Sequence, residues 1–226
     1  MLISFDDIPF EIKATNMLKT LGLDEYFLDE IDALALRSNM AGRPRAVLRI
    51  LATGPWDESS VQVGGERIES RLVSALLRDA GAVYAYVITC GAELERLMDE
   101  TADPVERMWQ ARINQEALKQ AQRHVLRAAE GLSGAEKLCA VNPGSHPNWP
   151  LSAQRQLFSL IGRVEESTGV KLNESFLMLP TKSVSGIWFQ SRKSFENCRI
   201  CQRAGCEGRR AGFDENLHRE IFAMEV

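Results

Sequence analysis

The sequence predicts a single α+β domain built on a mostly antiparallel, twisted sheet with flanking helices. Strand-like and helix-like segments are intermingled along the chain without the regular strand–helix alternation of a parallel sheet. Two pairs of strand-like segments are separated by short connections, at Gly64-Gly65 and at residues 180–183, which is typical of antiparallel hairpins. The 226 residues are 45% apolar and 26% charged, an ordinary globular composition that can bury a full core without disulfides.

The first half of the chain predicts two helices, two strands and one hairpin. The helices carry apolar residues at spacings of three and four, and the strands are short apolar runs rich in Val, Ile and Tyr. Gly64-Gly65 suits a two-residue turn, because glycine adopts positive φ angles without steric cost. The predicted elements are a short helix around residues 31–35 that ends near 42–44, a strand at 46–51, a hairpin of 61–63 and 67–68, a helix at 70–80 and a buried strand at 83–89.

The second half begins with the strongest helix signal in the chain. Asp103 is a good N-cap and Pro104 a good first helical residue, and the apolar positions that follow as far as Gly131 include many alanines. Something is therefore expected to pack closely against that face. Ser152 predicts the cap of one further helix that continues to Gly169. The last two predicted strands are residues 174–179 and 184–189, joined by residues 180–183.

Charge and missing motifs exclude several classes of function. The chain has 27 Lys and Arg against 31 Asp and Glu, a net charge of -4, so no basic field predicts nucleic-acid binding. Apolar runs fall short of the roughly 18 residues of a membrane helix, and the start of the chain lacks the order of a signal peptide. A cytoplasmic location is expected. Motifs for phosphate loops, dinucleotide binding, serine hydrolysis and zinc proteases are missing, as is the D-x-H-x-x-G of a cobalamin carrier.

Three of the five cysteines are crowded near the end of the chain, as Cys198-x-x-Cys201-x-x-x-x-Cys206. Two thiolates three positions apart can hold one metal ion, but zinc and iron–sulfur sites normally take four ligands. Cys139, Cys90 or His218 would then complete the site. Nearby arginines favour the thiolate form, so redox chemistry is a second interpretation and a simple reduced thiol cluster is a third. The odd cysteine count argues against a disulfide framework and for a reducing compartment.

The second candidate site is the proline-rich segment 142–150, N-P-G-S-H-P-N-W-P. Three prolines fix an irregular loop, and rigid loops often carry function. Its polar residues Asn142, Ser145 and His146 are candidate hydrogen-bonding groups, and Trp149 is a candidate stacking face. The alternative is a stiff connector with Trp149 in the core. Glu174, beside Lys182 and two serines, is a candidate anchor for a ligand's ammonium or hydroxyl group, or else a surface ion-pair partner.

Residues 142–189 resemble the S-adenosylmethionine-binding reactivation domain of cobalamin-dependent methionine synthase. Pro143-Gly144 enters the loop and Trp149-Pro150 starts the next helix. Residues 168–178 read T-G-V-K-L-N-E-S-F-L-M and residues 183–186 read S-V-S-G, which is similar to the family's T-G-x-x-L-T-E-S-x-x-M … S-V-S-G. Residues 43–47 and 89–95 are similar to short stand-alone relatives of this domain, which also end in a cysteine- and arginine-rich tail.

The resemblance implies that the chain binds S-adenosylmethionine next to the cobalamin of another protein. The family's pocket motif is similar to R-x-x-P-G-Y; Pro143 and Gly144 match it, while Ala140 and Ser145 stand at the Arg and Tyr positions. The lost Arg would have paired with the methionine carboxylate, a contact typically worth about 1.5–3 kcal/mol. The ligand contacts that follow from the resemblance and the loop are Asn142, Gly144, Ser145, His146 and Glu174.

Three functions follow as expectations. The first is an accessory protein of cobalamin-dependent methyl transfer, which binds S-adenosylmethionine, a corrinoid protein or methionine synthase modules, or both, to support reductive reactivation of cobalamin. The second is a zinc or iron–sulfur redox module that uses Cys198, Cys201 and Cys206, and the third is a non-catalytic docking module for corrinoid proteins. In domain terms, residues 1–195 are expected to form the activation-domain-like unit, with 196–226 as a Cys/Arg-rich segment packed on it or trailing from it.

Overall fold

The computed structural model describes residues 1–191, 195–202, 204–205, 209 and 211–222, and this part of the chain forms nine strands and eight helices. The strands are β1 (Leu2–Phe5), β2 (Arg45–Trp56), β3 (Ser60–Val63), β4 (Glu66–Glu69), β5 (Ala82–Thr89), β6 (Cys139–Val141), β7 (Lys171–Leu172), β8 (Met178–Leu179) and β9 (Ser183–Phe189). The helices are α1 (Ala14–Leu21), α2 (Leu28–Ala41), α3 (Arg71–Leu77), α4 (Ala92–Glu100), α5 (Pro104–Ser133), α6 (Gln154–Ile161), α7 (Val164–Thr168) and α8 (Glu215–Phe222).

Seven strands form one antiparallel sheet in the order β4-β3-β2-β5-β9-β6, with β1 paired to the first half of β2. The centre of the sheet is β5, which pairs with β2 along its whole length and with β9 from Val83 to Thr89. Strands β7 and β8 form a separate two-stranded ribbon. The predicted class, α+β with a mostly antiparallel sheet, is confirmed.

One face of the sheet packs against α3, α6 and α7. Alternate residues of the central strands, such as Val87 and Ile187, meet Leu72 and Leu77 of α3 and Leu157 of α6 in one buried apolar cluster. This alternation follows from the two-residue period of a strand, which sends neighbouring side chains to opposite faces. Because Leu157 packs into this cluster, α6 is held against the sheet. The chain between the end of β6 and α6 must therefore cross this side of the sheet.

The other face packs against α4 and α5. Tyr86 of β5 and Trp188 of β9 are diagonal neighbours, since Trp188 is paired with Tyr84 and Gly186 with Tyr86. Their rings stack with centroids 3.8 Å apart, and both are almost completely buried. The buried alanines of α5, among them Ala117 and Ala121, let the helix approach these large rings. The predicted alanine-lined helix therefore packs on the aromatic pair of the sheet. Helices α1 and α2 add an outer layer on α5, and within the described residues no helix is long and apolar enough to cross a bilayer.

Several predicted elements are confirmed with their caps and turns. Asp103 accepts hydrogen bonds from the first-turn backbone N–H groups of α5, and Ser70 caps α3 through the N–H of Val73. Gly64 and Gly65 both adopt positive φ, +60° and +89°, in the β3–β4 turn. The remaining differences are local: α5 extends to Ser133, two residues beyond its predicted end, and β2 is longer than its apolar run.

Two predictions are wrong. The helix expected from Ser152 to Gly169 is broken: residues 151–153 form a 3₁₀ turn, and α6 and α7 are separated by Gly162 and Arg163, both with positive φ. The strand expected at 174–179 is mostly a turn, because only Met178–Leu179 pairs, and it pairs with β7 rather than with β9. The predicted hairpin around residues 180–183 therefore does not form.

Candidate functional site

The loop between β6 and α6, residues 142–150, is closed by its own backbone. The N–H of Gly144 donates to the carbonyl of Trp149 at 2.8 Å, and the N–H of Trp149 donates to the carbonyl of His146 at 3.0 Å. Gly144 has φ +79°, a conformation that L side chains rarely adopt, and a Cβ there would lie 3.1 Å from Leu151. The loop is thus rigid. Trp149 is buried in the core, as the sequence predicts if this segment is a stiff connector.

Asn142 ties this loop to the sheet. Its Nδ2 donates to the hydroxyl of Tyr86 at 2.8 Å and to the carbonyl of Ser185 at 2.7 Å, while its Oδ1 accepts from Nδ2 of Asn197 at 2.9 Å. Gly186 makes this possible, since a Cβ there would lie 2.4 Å from Asn142 Nδ2. The amide is fully engaged inside the protein, and its geometry is that of a group which holds the loop in place.

A second loop is joined to the first through Gln154. Its Oε1 accepts from the hydroxyl of Ser185 at 2.9 Å, and its Nε2 donates to the carbonyl of Phe176 at 2.9 Å. Gln154 is buried, so both bonds are shielded from water, and this strengthens them. Asn142, Ser185 and Gln154 therefore form a polar network, called here the amide network, that fixes loop 142–150 relative to the turn 173–177.

The turn 173–177 presents Glu174 to solvent. Asn173 closes it by accepting the N–H groups of Ser175 and Leu177 on its side-chain oxygen, both at 2.9 Å. Phe176 adopts φ +61°, a strained conformation for a bulky residue, and its ring lies under the Arg155 guanidinium at 5.0 Å. Such strain persists where surrounding contacts over-determine the backbone, as the amide network and Arg155 do here. The carboxylate of Glu174 points out of a rigid turn and is exposed.

Ser145 and His146 have different surroundings. The Ser145 hydroxyl donates back to the carbonyl of Asn142, so it stiffens the loop. The ring of His146 accepts the N–H of Asn148 on Nδ1 and stacks on Phe222 of α8, with centroids 4.5 Å apart and planes 10° from parallel. Burial, and then the nearby His218, lower the pKa of His146 below 6.5, so at neutral pH the ring is uncharged.

Ala140 and Ser145 occupy the two positions where the resembling family carries Arg and Tyr. Ala140 lies in β6, opposite Trp188, and its methyl group packs with the apolar cluster of that face. Position 140 therefore offers no cation to a ligand carboxylate. What the loop presents instead is one neutral ring at His146, one backbone bend at Gly144 and, across the amide network, one carboxylate at Glu174.

One cavity borders loop 142–150, and a second lies beside α8. A groove of about 510 Å³ is bordered by Trp149 and Pro150 of the loop and by Arg155 of α6. A larger cavity, about 740 Å³, is bordered by α3, the start of β5 and α8. Neither cavity is lined by a predicted ligand residue. The second cavity is the larger of the two. Most of the predicted ligand residues, however, belong to the loop, so we place the candidate site at the loop.

Two of the three predicted metal ligands lie in one turn of the C-terminal segment. Cys198 and Cys201 are half-buried in the turn after β9, where the Arg209 guanidinium donates to both of their carbonyls at 3.0 Å. Cys206, the third predicted ligand, lies outside the described residues. In the part of the chain that is described, no three His, Cys, Asp or Glu side chains come together in a way that could hold a metal ion. The metal site therefore stays a prediction.

The two other cysteines have different surroundings. Burial raises the pKa of the Cys90 thiol to about 12, which leaves it protonated and a poor metal ligand. Cys139 is buried in β6, where its sulfur accepts the backbone N–H of Phe195 at 3.3 Å.

Sequence reasoning missed Gln154, Asn197 and Phe222. All three act through contacts that are distant along the chain, and none belongs to a recognisable motif. The available signal for Gln154 was a polar residue on the otherwise apolar face of α6, since a buried polar side chain must find partners. Phe222 gave a weaker signal, as one of the apolar residues of a short amphipathic segment.

The chain is similar to one known protein family and to one of its solved structures. Residues 87–202, just over half of the chain, match the family described as vitamin B12 dependent methionine synthase, activation domain. Among solved structures, the chain is similar to "Crystal Structure of the MetH Reactivation Domain bound to AdoHcy", with a TM-score of 0.60 and 18% identity over 83% of this chain and 69% of that chain. At 18% identity, this structural similarity establishes a common fold and no more. A search of curated proteins found no match.

Proposed function

The chain belongs to the vitamin B12 dependent methionine synthase activation-domain family, and we propose that it is an accessory protein of cobalamin-dependent methyl transfer. In this role it binds S-adenosylmethionine and docks on a separate corrinoid protein to support reductive reactivation of cobalamin. One observation carries the proposal: the family match spans loop 142–150 and turn 173–177, which the amide network holds together in a fold similar to a reactivation domain.

The residues present fit such a ligand in part. His146 offers a neutral, half-buried ring for stacking against a planar base, and Glu174 offers an exposed negative charge for the ammonium or sulfonium group. Gly144 lets the backbone approach the ligand without a side chain in the way. Ser145 lies beside it in the loop, and Asn142 is assigned to positioning, because its amide is already fully hydrogen-bonded.

The protein's contribution is orientation. When bound, S-adenosylmethionine supplies an electrophilic methyl group to the reduced cobalt of the partner, with one electron from an external donor. The chain's own residues hold the ligand on a rigid loop, so that the reacting atoms meet without the entropy loss of a free encounter. Ala140 and Ser145 remove two of the family's contacts, so affinity in the micromolar range is expected rather than tighter binding.

The test is a calorimetric titration of S-adenosylmethionine into the full chain, compared with two glycine variants. Gly144 and Gly134 both adopt positive φ, but only Gly144 lies in the loop, and nothing is within 4 Å of a Cβ at Gly134. We expect Gly144→Val to weaken binding by about tenfold or more, and Gly134→Val to leave the Kd unchanged. Absence of heat up to about millimolar ligand would overturn the methyl-donor part of the proposal.

Docking without ligand binding is the second candidate, and Ala140 favours it. The position that would anchor the ligand's carboxylate holds a methyl group packed opposite Trp188. A protein that keeps the fold and loses the anchor would still present the same surface to a corrinoid protein. Co-sedimentation with a corrinoid protein, unchanged by S-adenosylmethionine and by Gly144→Val, would favour this function over the first.

A further inference from the structure

Helix α8 lies directly over His146. Phe222, in its last turn, stacks on the imidazole at 4.5 Å, and His218, one turn earlier, lies 4.7 Å from Phe222 and 6.2 Å from His146 between ring centroids. Phe213 joins from the segment before the helix, 5.5 Å from His218. These four rings, His146, Phe213, His218 and Phe222, are called here the ring cluster. They are the contact between the C-terminal segment and His146, the ring to which the proposed function assigns stacking.

Helix α8 is only partly buried. None of its residues is fully buried, and only Leu217, Ile221 and Phe222 pack, partly, against the core of the sheet. The cavity of about 740 Å³ is bordered by Leu217 and Ile221, so the helix leaves space unfilled beneath it. A helix of two turns is not stable alone in water, and few buried contacts mean a low free energy for local opening.

The start of the helix, by contrast, is firmly attached. Asp214 accepts the N–H of Leu217 on Oδ1 at 2.9 Å and pairs through Oδ2 with Arg199 at 2.6 Å, and its own N–H donates to the Arg199 carbonyl at 2.7 Å. The capping N–H and then the Arg199 charge lower the pKa of Asp214. Arg209 adds hydrogen bonds to the carbonyls of Cys198 and Cys201. The segment therefore has one anchored end and one weakly seated end.

We infer that α8 is a lid over loop 142–150, anchored at Asp214, which closes when Phe222 covers the ring of His146 and opens to let a ligand or partner reach it. In the closed state Phe222 occupies the stacking position that a planar ring of a ligand needs. The lid is therefore autoinhibitory: a ring that binds on His146 must displace Phe222. The identity of that ligand rests on the proposed function, whereas the covering of His146 does not.

The test uses diethyl pyrocarbonate, which acylates accessible neutral imidazoles, on the full chain at pH 7 with mass-spectrometric readout at each histidine. His124 is exposed on α5 and serves as the internal reference. We expect His146 to react about tenfold more slowly than His124 in the natural chain, and Phe222→Ala to remove most of that difference while the His124 rate stays constant. Equal rates in the natural chain, or no change in Phe222→Ala, would overturn the lid.

Two further variants separate lid opening from general unfolding. Asp214→Ala loosens the anchor without touching the ring cluster and should also raise the His146 rate, by about threefold or more. Met40→Ala, which truncates an exposed apolar side chain on α2, should leave it unchanged. A rise at His146 in Met40→Ala as large as in Phe222→Ala would overturn the lid, because the effect would then be global.

The ligand arm tests autoinhibition with S-adenosylmethionine as the probe. Phe222→Ala should lower its Kd by about fivefold, because the apparent affinity rises with the open fraction. An unchanged or higher Kd in Phe222→Ala would overturn the autoinhibitory role. If neither protein binds S-adenosylmethionine, the proposed ligand fails, and the acylation rates then decide the lid by themselves.

Discussion

The central sheet and the C-terminal helix of this protein are held in place by different means. Strand β5, at the centre of the sheet, is buried at seven of its eight positions and is paired on both edges, whereas α8 has no fully buried residue and is attached at one end. The matched region, residues 87–202, covers the last three residues of β5, the loop and the turn, and it ends before α8 begins. The loop is therefore rigid, whereas the helix that covers it is loosely attached.

The largest expected effect on the free energy of unfolding comes from truncating the aromatic pair in the core. Trp188→Ala removes a buried ring that stacks on Tyr86 at 3.8 Å, and we expect it to lower the free energy of unfolding by about 3–5 kcal/mol. Urea unfolding followed by circular dichroism measures this. Phe222→Ala is the matched aromatic truncation in α8 and should cost well under half as much. Equal losses in the two variants would mean that α8 is part of the core.

Cysteine reactivity contrasts the two regions without any mutation. Cys90 is buried beside the sheet with its pKa raised to about 12, while Cys201 is half-buried in the C-terminal segment. Iodoacetamide at pH 7.5 should modify Cys201 about a hundredfold faster than Cys90, because the thiolate is the reacting form. The control is the urea-unfolded chain, in which the two rates should converge. Comparable rates in the folded protein would contradict the rigid core.

The amide network tests how firmly the loop belongs to the core. Asn142→Ala removes the hydrogen-bond partner of Tyr86, Ser185 and Asn197 at once and should lower the free energy of unfolding by about 2–3 kcal/mol. Asn148, in the same loop, engages the protein through its backbone N–H, so Asn148→Ala is a matched control with an expected cost below about 0.5 kcal/mol. Similar costs for the two asparagines would place the loop outside the core's cooperative unit.

The smallest expected effect is the response of the lid to pH. The pKa of His146 is lowered below 6.5 when Phe222 covers it, so the open state binds a proton that the closed state resists. Closure is therefore fully favoured above pH 6.5, weakens as pH falls through that value, and levels off below the lowered pKa. Of the groups around the ring, His218 is the one that adds repulsion, while Asp214 is engaged with Arg199.

Hydrogen exchange of the backbone amides of α8 reports this opening. We expect protection of the His218 amide, which donates to the Asp214 carbonyl, to fall between pH 7.5 and 5.5, after correction for intrinsic exchange. His146→Phe keeps the ring stack and removes the titrating group, so most of the pH dependence should disappear. A pH response of equal size in this variant would assign the effect to other groups.

The strongly patterned elements were the ones that could be predicted from the sequence. The apolar run of β5, the capped helix α5 and the Gly64-Gly65 hairpin each carry a local signal that the fold did not override. The break between α6 and α7 was missed: Gly162 is a local signal for a helix end, but the residue type of Arg163 does not predict its positive φ. The strand expected at 174–179 does not form, because the side-chain oxygen of Asn173 accepts the N–H groups of Ser175 and Leu177 and closes a turn.

The candidate site was predicted only in part: the loop was, and its contact partners were not. The prolines and Gly144 identified the loop, because they restrict the backbone wherever they occur. The partners of that loop come from β5, β9, α6 and the C-terminal segment, and no local pattern places Asn197 beside Asn142 or Phe222 over His146. Tertiary contacts of single side chains are set by the whole fold, so a single sequence does not reveal them.

The most direct test of the proposed function is the reactivation reaction itself. A methionine synthase cobalamin module without its own activation domain is supplied in the inactive, oxidised state, with a one-electron reductant and S-adenosylmethionine, and methylcobalamin formation is followed by absorbance. The account predicts that the natural chain accelerates this conversion, that Gly144→Val does so much less, and that Gly134→Val behaves as the natural chain does. An unchanged rate with and without the protein would contradict the account.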